Sequence, residues 1–280
     1  MTGDLIGEMG AVPQNAALIV VLAASALLIA IVAGAFAPAG IRRIGHGLIL
    51  ASIGAGAKSK EADGRVDLGA VNDNDIEKSV RNRTPAPAQW SKRAFDIAAA
   101  LALLGFFAPL LFATAIAIRL DSKGPALYRQ RRIGYRGREF EIFKFRSMRI
   151  DAEKDGVRWA SANDDRITRV GRFIRRTRID EIPQALNILR GEMSFVGPRP
   201  ERPEFVRLLE EEIPHYHERH LVKPGITGWA QVKYVYTASV EGARHKLTYD
   251  LFYIKHFSVL LDMLIVLMTV RVALLGLGSR

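Results

Sequence analysis

The chain has 280 residues, 49% hydrophobic and 25% charged, with a net charge of +11 and no cysteine. That length can bury one good-sized core with an appendage, and the lack of cysteine excludes disulfides, thiolate metal sites and a cysteine nucleophile. The basic balance requires a polyanionic partner: nucleic acid, anionic lipid head groups or a phosphorylated substrate.

No charged residue occurs from Met9 to Ile41, and Ala16 to Phe36 is almost wholly apolar. A bilayer core needs about 20 such residues, so residues 1–43 are expected to hold a transmembrane helix. A cleaved signal would begin with basic residues, whereas this segment begins with Asp4 and Glu8. Arg42 and Arg43 follow the apolar run and no Lys or Arg precedes it, which places the rest of the chain in the cytoplasm. Residues 44–91 read as a cytoplasmic linker, partly disordered: Lys58 to Trp90 is dominated by Gly, Asp, Asn, Lys and Glu, with Pro85 and Pro87 near its end.

Ile97 to Ile118 is a second uncharged run, long enough to span a membrane. Pro109 sits in its middle, where it removes a backbone donor and bends a helix. Basic residues flank both ends, Lys92 and Arg93 before, Arg119, Lys123, Arg129, Arg131 and Arg132 after. A simple span would carry the second cluster outside, so a re-entrant helix over 94–119, broken at Pro109, that enters and leaves one leaflet satisfies both flanks. On hydropathy alone a second full span stays open.

Beyond Arg119 the texture is soluble and α/β. PALYRQRRIG and EFEIFKFRSM alternate as two short strands joined by a turn at Gly134 to Gly137. Asp164 to Arg178 carries apolar residues at near-helical spacing. Asp180 and Glu181 lie just upstream of Pro183, a pattern of a helix start, where the macrodipole favours anions. Pro203 to His220 reads as an amphipathic helix ending near Pro214, and VKPGITGWAQV as a tight turn entering a strand. Phe257 to Val270 is short for a span and suits the membrane interface or the domain surface.

Chemistry concentrates at Asp180 and Glu181, crowded by Arg172, Arg175, Arg176 and Arg178. Arginine holds phosphate oxygens bidentately and cannot lose its proton. The same positive field keeps a carboxylate ionised, ready as a nucleophile or metal ligand. A solvated surface ion-pair network is the competing reading of the local run. Three further elements could converge there: Arg199 on the stiff GPRP turn, Lys144 and Arg146 of KFRSM on one face of a strand, and Pro224, Gly225, Gly228 and Trp229. The spacing of His215, His217 and His220 matches no standard zinc signature. There is no Walker loop, dinucleotide fingerprint or nucleophile elbow. Nucleic-acid binding is disfavoured because the arginines coincide with an acid pair and a membrane anchor rather than an aromatic-studded sheet.

From Lys92 to about Leu275 the chain resembles the bacterial sugar transferases, the monotopic polyprenyl-phosphate phosphoglycosyl transferases that begin glycan assembly on a lipid carrier. The stretches that carry the resemblance are KRAFDIAAALALLGFFAPLLFATAIAIRLDSKGPALYRQRRIG, FEIFKFRSMR, RIDEIPQALNILRGEMSFVGPRPE and VKPGITGWAQV, in that order. The N-terminal helix and linker are similar to those of the larger, exopolysaccharide-type members. The resemblance implies a membrane-anchored α/β protein, with a phosphoglycosyl transferase domain over 92–280 that includes the re-entrant helix and interfacial helices. It implies transfer of a hexose 1-phosphate from a UDP-sugar to undecaprenyl phosphate at the cytoplasmic face of the bacterial inner membrane, with release of UMP. Asp180 would attack the β-phosphate to form a phosphosugar-aspartate, and Glu181 would assist through Mg²⁺, the pair together forming the metal site. Arg175 and Arg199, with Lys144 and Arg146, would contact phosphate. Ala108 departs from the family's serine before the hairpin proline, which leaves the break to Pro109 alone. A membrane-tethered phosphate- or nucleic-acid-binding regulator without turnover is the alternative class, and a linker of this length permits a homodimer.

Overall fold

The computed structural model describes residues 64–83, 86–154, 156, 164–234 and 239–274, so the expected helix within 1–43 lies outside the described residues. The elements run α1 (Asp73–Arg83), α2 (Ala86–Asp121), β1 (Leu127–Ile133), β2 (Glu139–Phe145), α3 (Arg169–Arg176), a 3₁₀ turn (Ile179–Gln184), α4 (Ala185–Arg190), β3 (Ser194–Val196) and α5 (Pro203–Glu212). A second 3₁₀ turn (Tyr216–Leu221), β4 (Gly225–Thr227), α6 (Trp229–Lys233), α7 (Val240–His256) and α8 (Val259–Leu274) complete the order.

β1 and β2 form the antiparallel hairpin that their alternation predicts, with Leu127 opposite Phe145 and Ile133 opposite Glu139. β3 and β4 form a separate two-stranded parallel sheet, Ser194 opposite Gly225 and Val196 opposite Thr227. That pairing continues into a backbone contact only glycine allows. A Cβ on Gly197 would sit 2.3 Å from the Lys223 carbonyl oxygen, and one on Gly225 would sit 2.1 Å from the Gly197 nitrogen.

α2 is 36 residues long and contains Pro109, so the proline does not divide the segment into two separate helices. It also begins at Ala86, ahead of the expected start at residue 94. At 1.5 Å per residue such a helix reaches ~54 Å, yet both of its ends engage the same domain. Near its start, Arg93 donates to the carbonyls of Ile188 and Leu189 at the end of α4. Asp96 accepts from the Ser194 hydroxyl at 3.0 Å and the Phe195 amide at 2.9 Å. At the far end, Asp121 accepts from the Val170 amide at 3.0 Å, and Arg146 donates to the Ser122, Lys123 and Gly124 carbonyls. Between them, Phe107 and Ile118 are buried in a second apolar cluster with Phe145, Ile174, Ile179 and Ile182. The opposite side exposes Leu101, Phe106, Phe112, Ile116 and Leu120.

Part of the stretch expected as linker docks on the domain. Ile76 of α1 is buried in the main core, the Val66 amide donates to the Thr248 carbonyl, and the indole of Trp229 donates to the Gly64 carbonyl at 2.8 Å. A few apolar residues in a polar segment suffice to hold it when a preformed surface receives them. α8 packs on the domain through Leu261, Ile265 and Val266. Its lone acid, Asp262, is buried and paired with Lys92 and the Tyr253 hydroxyl.

Asn187, fully buried on α4, fixes the register of β2. Its carbonyl oxygen accepts from the Phe143 amide at 3.0 Å, and its NH₂ donates to the Glu141 carbonyl at 2.7 Å. Asn187→Ala would leave the buried Phe143 amide without its partner, at ~1–3 kcal/mol, and would also remove the contact with the part-buried Glu141 carbonyl. Denaturant titration of the purified protein should show a loss of about 2–4 kcal/mol; a loss under about 0.5 kcal/mol would mean water replaces the amide.

Candidate active site

The acid pair opens the 3₁₀ turn rather than a regular α-helix, and the turn leads directly into α4. Arg178 enters it in the left-handed region (φ 59°, ψ 13°), a reversal that directs the chain back across the end of α3. Ile179 and Ile182 anchor the turn in the second apolar cluster. Both Asp180 and Glu181 are buried, which disposes of the solvated-network reading.

Burial does not treat the two acids alike. Glu181 Oε1 accepts from Arg199 Nη2 and from Lys144 Nζ at 3.2 Å, and Oε2 accepts from Arg199 Nη1 at 3.3 Å. Arg178 Nη1 lies 3.9 Å from Oε1. Burial alone would push the Glu181 carboxyl up, but Arg199, Lys144 and Arg178 outweigh it and hold the group well below the usual carboxylate range. Asp180 receives less. Its Oδ1 is buried with no hydrogen-bond partner. Burial and the neighbouring Glu181 charge push its carboxyl up to about 6, against the opposing fields of Lys144, Arg178 and Arg175. Burial also pulls the Lys144 ammonium down to about 8, with Glu181 opposing and Arg199 and Arg132 adding to the fall.

Lys144 and Arg199 therefore meet at Glu181, as expected. Arg175 lies half-buried on α3 and acts on Asp180 by its field. Arg146 does not join them: strand pleating ends at Phe145, and its guanidinium turns to the carbonyls that close α2. Trp229 is also placed elsewhere, buried in the core and stacked on Phe252 at 5.8 Å between centroids. Sequence reasoning passed over two supporting residues. Gln231 of the WAQV run accepts from Arg199 Nη1 at 3.3 Å. Arg132, taken as a topology-setting flank, donates to the Pro200 carbonyl at 3.1 Å. Each belongs to a motif already picked out, but neither carries a local mark of its partner.

Among the described residues no group of three or more His, Asp or Glu is arranged to hold a metal. Magnesium, however, is usually held through one or two carboxylates plus substrate phosphates. The dyad fits such an ion through the Asp180 carboxylate, which is not saturated by hydrogen bonds, with Glu181 joining only by exchanging an arginine contact.

In sequence, the chain that carries this site is similar to known proteins. The family model described as bacterial sugar transferase matches residues 87–276. The chain is 45% identical over 79% of its length to the UDP-N-acetylgalactosamine-undecaprenyl-phosphate N-acetylgalactosaminephosphotransferase of Aeromonas hydrophila, covering 52% of that protein. It is 46% identical over 69% of its length to the undecaprenyl-phosphate glucose phosphotransferase of Komagataeibacter xylinus, covering 38% of it. Against the exopolysaccharide production protein PSS of Rhizobium leguminosarum bv. phaseoli it is 44% identical over 64% of its length, covering 92% of it. The chain thus spans about half or less of the first two relatives and most of the third. With well over half of its length inside the family pattern, the dyad included, the chain belongs to the bacterial sugar transferases.

Proposed function

We propose that this protein transfers a hexose 1-phosphate from a UDP-sugar to undecaprenyl phosphate, in two displacements through Asp180. The observation that carries this reading is the asymmetry of the dyad: Glu181 is saturated by cations, while Asp180 Oδ1 is buried and unpartnered. An oxygen held so is poorly solvated and available to attack. Asp180 Oδ1 attacks the β-phosphorus of the UDP-sugar, the bond from that phosphorus to the bridging oxygen breaks, and UMP leaves with the electron pair. A phosphate oxygen of undecaprenyl phosphate then attacks the same phosphorus and expels Asp180 as the free carboxylate. Lys144, Arg175 and Arg199 neutralise the transferring group, which is most of what phosphoryl transfer demands. Asp180 and Glu181 would hold Mg²⁺ together with the substrate phosphates, and the ion would supply further neutralisation of charge. Relatives are named for glucose and for N-acetylgalactosamine, so both sugars belong in the donor panel.

The proposed setting is the cytoplasmic face of the inner membrane, with α2 re-entrant. The exposed apolar side of α2 suits lipid, while its two ends and its other side are held by one domain. Support for re-entry comes from one domain engaging both ends of the helix. The chain has no native cysteine, so Ser91→Cys and Lys123→Cys can each be probed with an impermeant maleimide. Both should label from the cytoplasmic side alone; labelling from opposite sides would rule out the re-entrant placement.

UMP release from a panel of UDP-sugars tests the chemistry. Asp180→Asn should lower it by at least ~10³-fold, and wild type without lipid should retain label on the protein. Folding raises the Asp180 pKa above its ordinary 3.8, so the stability it contributes is present below that value and lost as pH rises through about 6. Asn copies the neutral form, and the variant should melt no lower than wild type at pH 7.5. Full release by Asp180→Asn would sink the covalent reading.

The same pair predicts a bell-shaped profile. UMP release should rise as Asp180 ionises near pH 6 and fall as Lys144 loses its proton near pH 8. Lys144→Met should slow release and abolish the alkaline limb. An unchanged alkaline limb in that variant would assign it to another group.

A further inference from the structure

Pro198 and Pro200 have no N–H and fixed φ, and a residue before proline is confined to extended conformations. The orientation of Arg199 between them therefore depends on how the carbonyls of the turn are held. Gly225 donates to the Pro198 carbonyl at 2.9 Å, Arg132 to the Pro200 carbonyl at 3.1 Å, and Arg219 to the Arg199 carbonyl at 2.9 Å. Arg219 is the unusual one, being 2% exposed. Its fork also donates to Asp250 Oδ2 at 2.9 Å and to the Tyr216 hydroxyl at 2.7 Å, with the guanidinium 5.0 Å from the Tyr216 ring centre.

A buried ion pair is weak as a source of stability, because the loss of hydration offsets most of the attraction. Its value lies in placing groups. Arg219 touches neither Asp180 nor Glu181, but it holds the main chain of the residue whose side chain does touch Glu181. We infer that Arg219, braced by Asp250, is a positioning residue for phosphate transfer: it fixes the Arg199 main chain and thereby seats the Arg199 guanidinium on Glu181. The inference rests on the proposed transfer reaction for its catalytic consequence and on geometry alone for its structural one.

Arg219→Lys keeps the charge but cannot reach Asp250, Tyr216 and the Arg199 carbonyl at once. It should lower kcat for UMP release by ~10-fold or more with little change in KM, and Asp250→Asn should act in the same direction more weakly. In an Arg199→Ala background Arg219→Lys should have no further effect, because the two act as a unit. Additive losses would overturn the inference. Hydrogen exchange gives a readout free of activity: Arg219→Lys should speed amide exchange in 179–184, and not further when Arg199 is already Ala. Faster exchange confined to 216–221 and the Asp250 region would show a merely local structural role and also overturn it. Absence of UMP release from wild type would refute the transfer reaction, while the exchange experiment would still decide the positioning role.

Discussion

The ion pair between Glu181 and Arg199 is the interaction on which the site depends. Two adjacent carboxylates enter a buried turn, and like charges so close cannot both be neutralised by one set of cations. Arg199 engages both oxygens of Glu181, and Lys144 adds a third contact. What Glu181 receives, Asp180 lacks. The result is one acid held firmly ionised and another poised near neutrality, within two consecutive residues. This is the separation of roles that a pair of catalytic carboxylates needs, obtained by unequal partnering within a common burial.

The partnering depends in turn on the segment that carries Arg199. Val196 accepts from the Tyr253 hydroxyl at 3.1 Å, Gly197 donates to the Thr227 carbonyl at 2.9 Å, and Glu201 accepts from the Ile133 amide at 3.0 Å. The Glu201 side chain is half-buried. Burial alone would push its carboxyl up, but Lys246, Arg219 and Arg132 bring it down to about 2. Contacts therefore reach this segment from α7, β4, β1 and the second 3₁₀ turn. The dyad turn has its own supports, with Ile179 and Ile182 in an apolar cluster and Lys144 arriving from β2. The dyad turn and the Arg199 segment each have supports of their own and meet at the Glu181–Arg199 salt bridge.

The dyad, Lys144 and Arg199 were legible in the sequence because charged residues in a basic, motif-dense run can be read without knowing the fold. The β1–β2 hairpin was legible from its alternation. The role of Arg146 was not, because it depends on strand pleating ending one residue earlier, which puts Arg146 against the end of α2. Lys92 and Arg93 looked like topology signals since both are basic and flank an apolar run. Their partners, Asp262 and the α4 carbonyls, lie about 95 to 170 residues away. The docked segment around Ile76 was hidden for the opposite reason: its composition is that of a linker, and a single buried isoleucine leaves no periodic signal.

Those distant partners change what α2 does. An anchor that merely tethered the domain would need no specific polar contact with it. Instead, Arg93 closes α4 directly after the dyad turn, Asp96 holds the first two residues of β3, and Lys92 reaches the Val196 carbonyl at 3.5 Å, just ahead of Gly197. The distal half of α2 packs Phe107 and Ile118 against the cluster that seats the dyad turn. The near half of α2 thus supports the Arg199 segment and the far half supports the carboxylates. In the proposed reaction a lipid-linked phosphate and a soluble nucleotide would meet at one phosphorus, which calls for a set distance between membrane plane and nucleophile. With both halves of the site supported by α2, the helix proposed to meet the membrane would set that distance without a separate element.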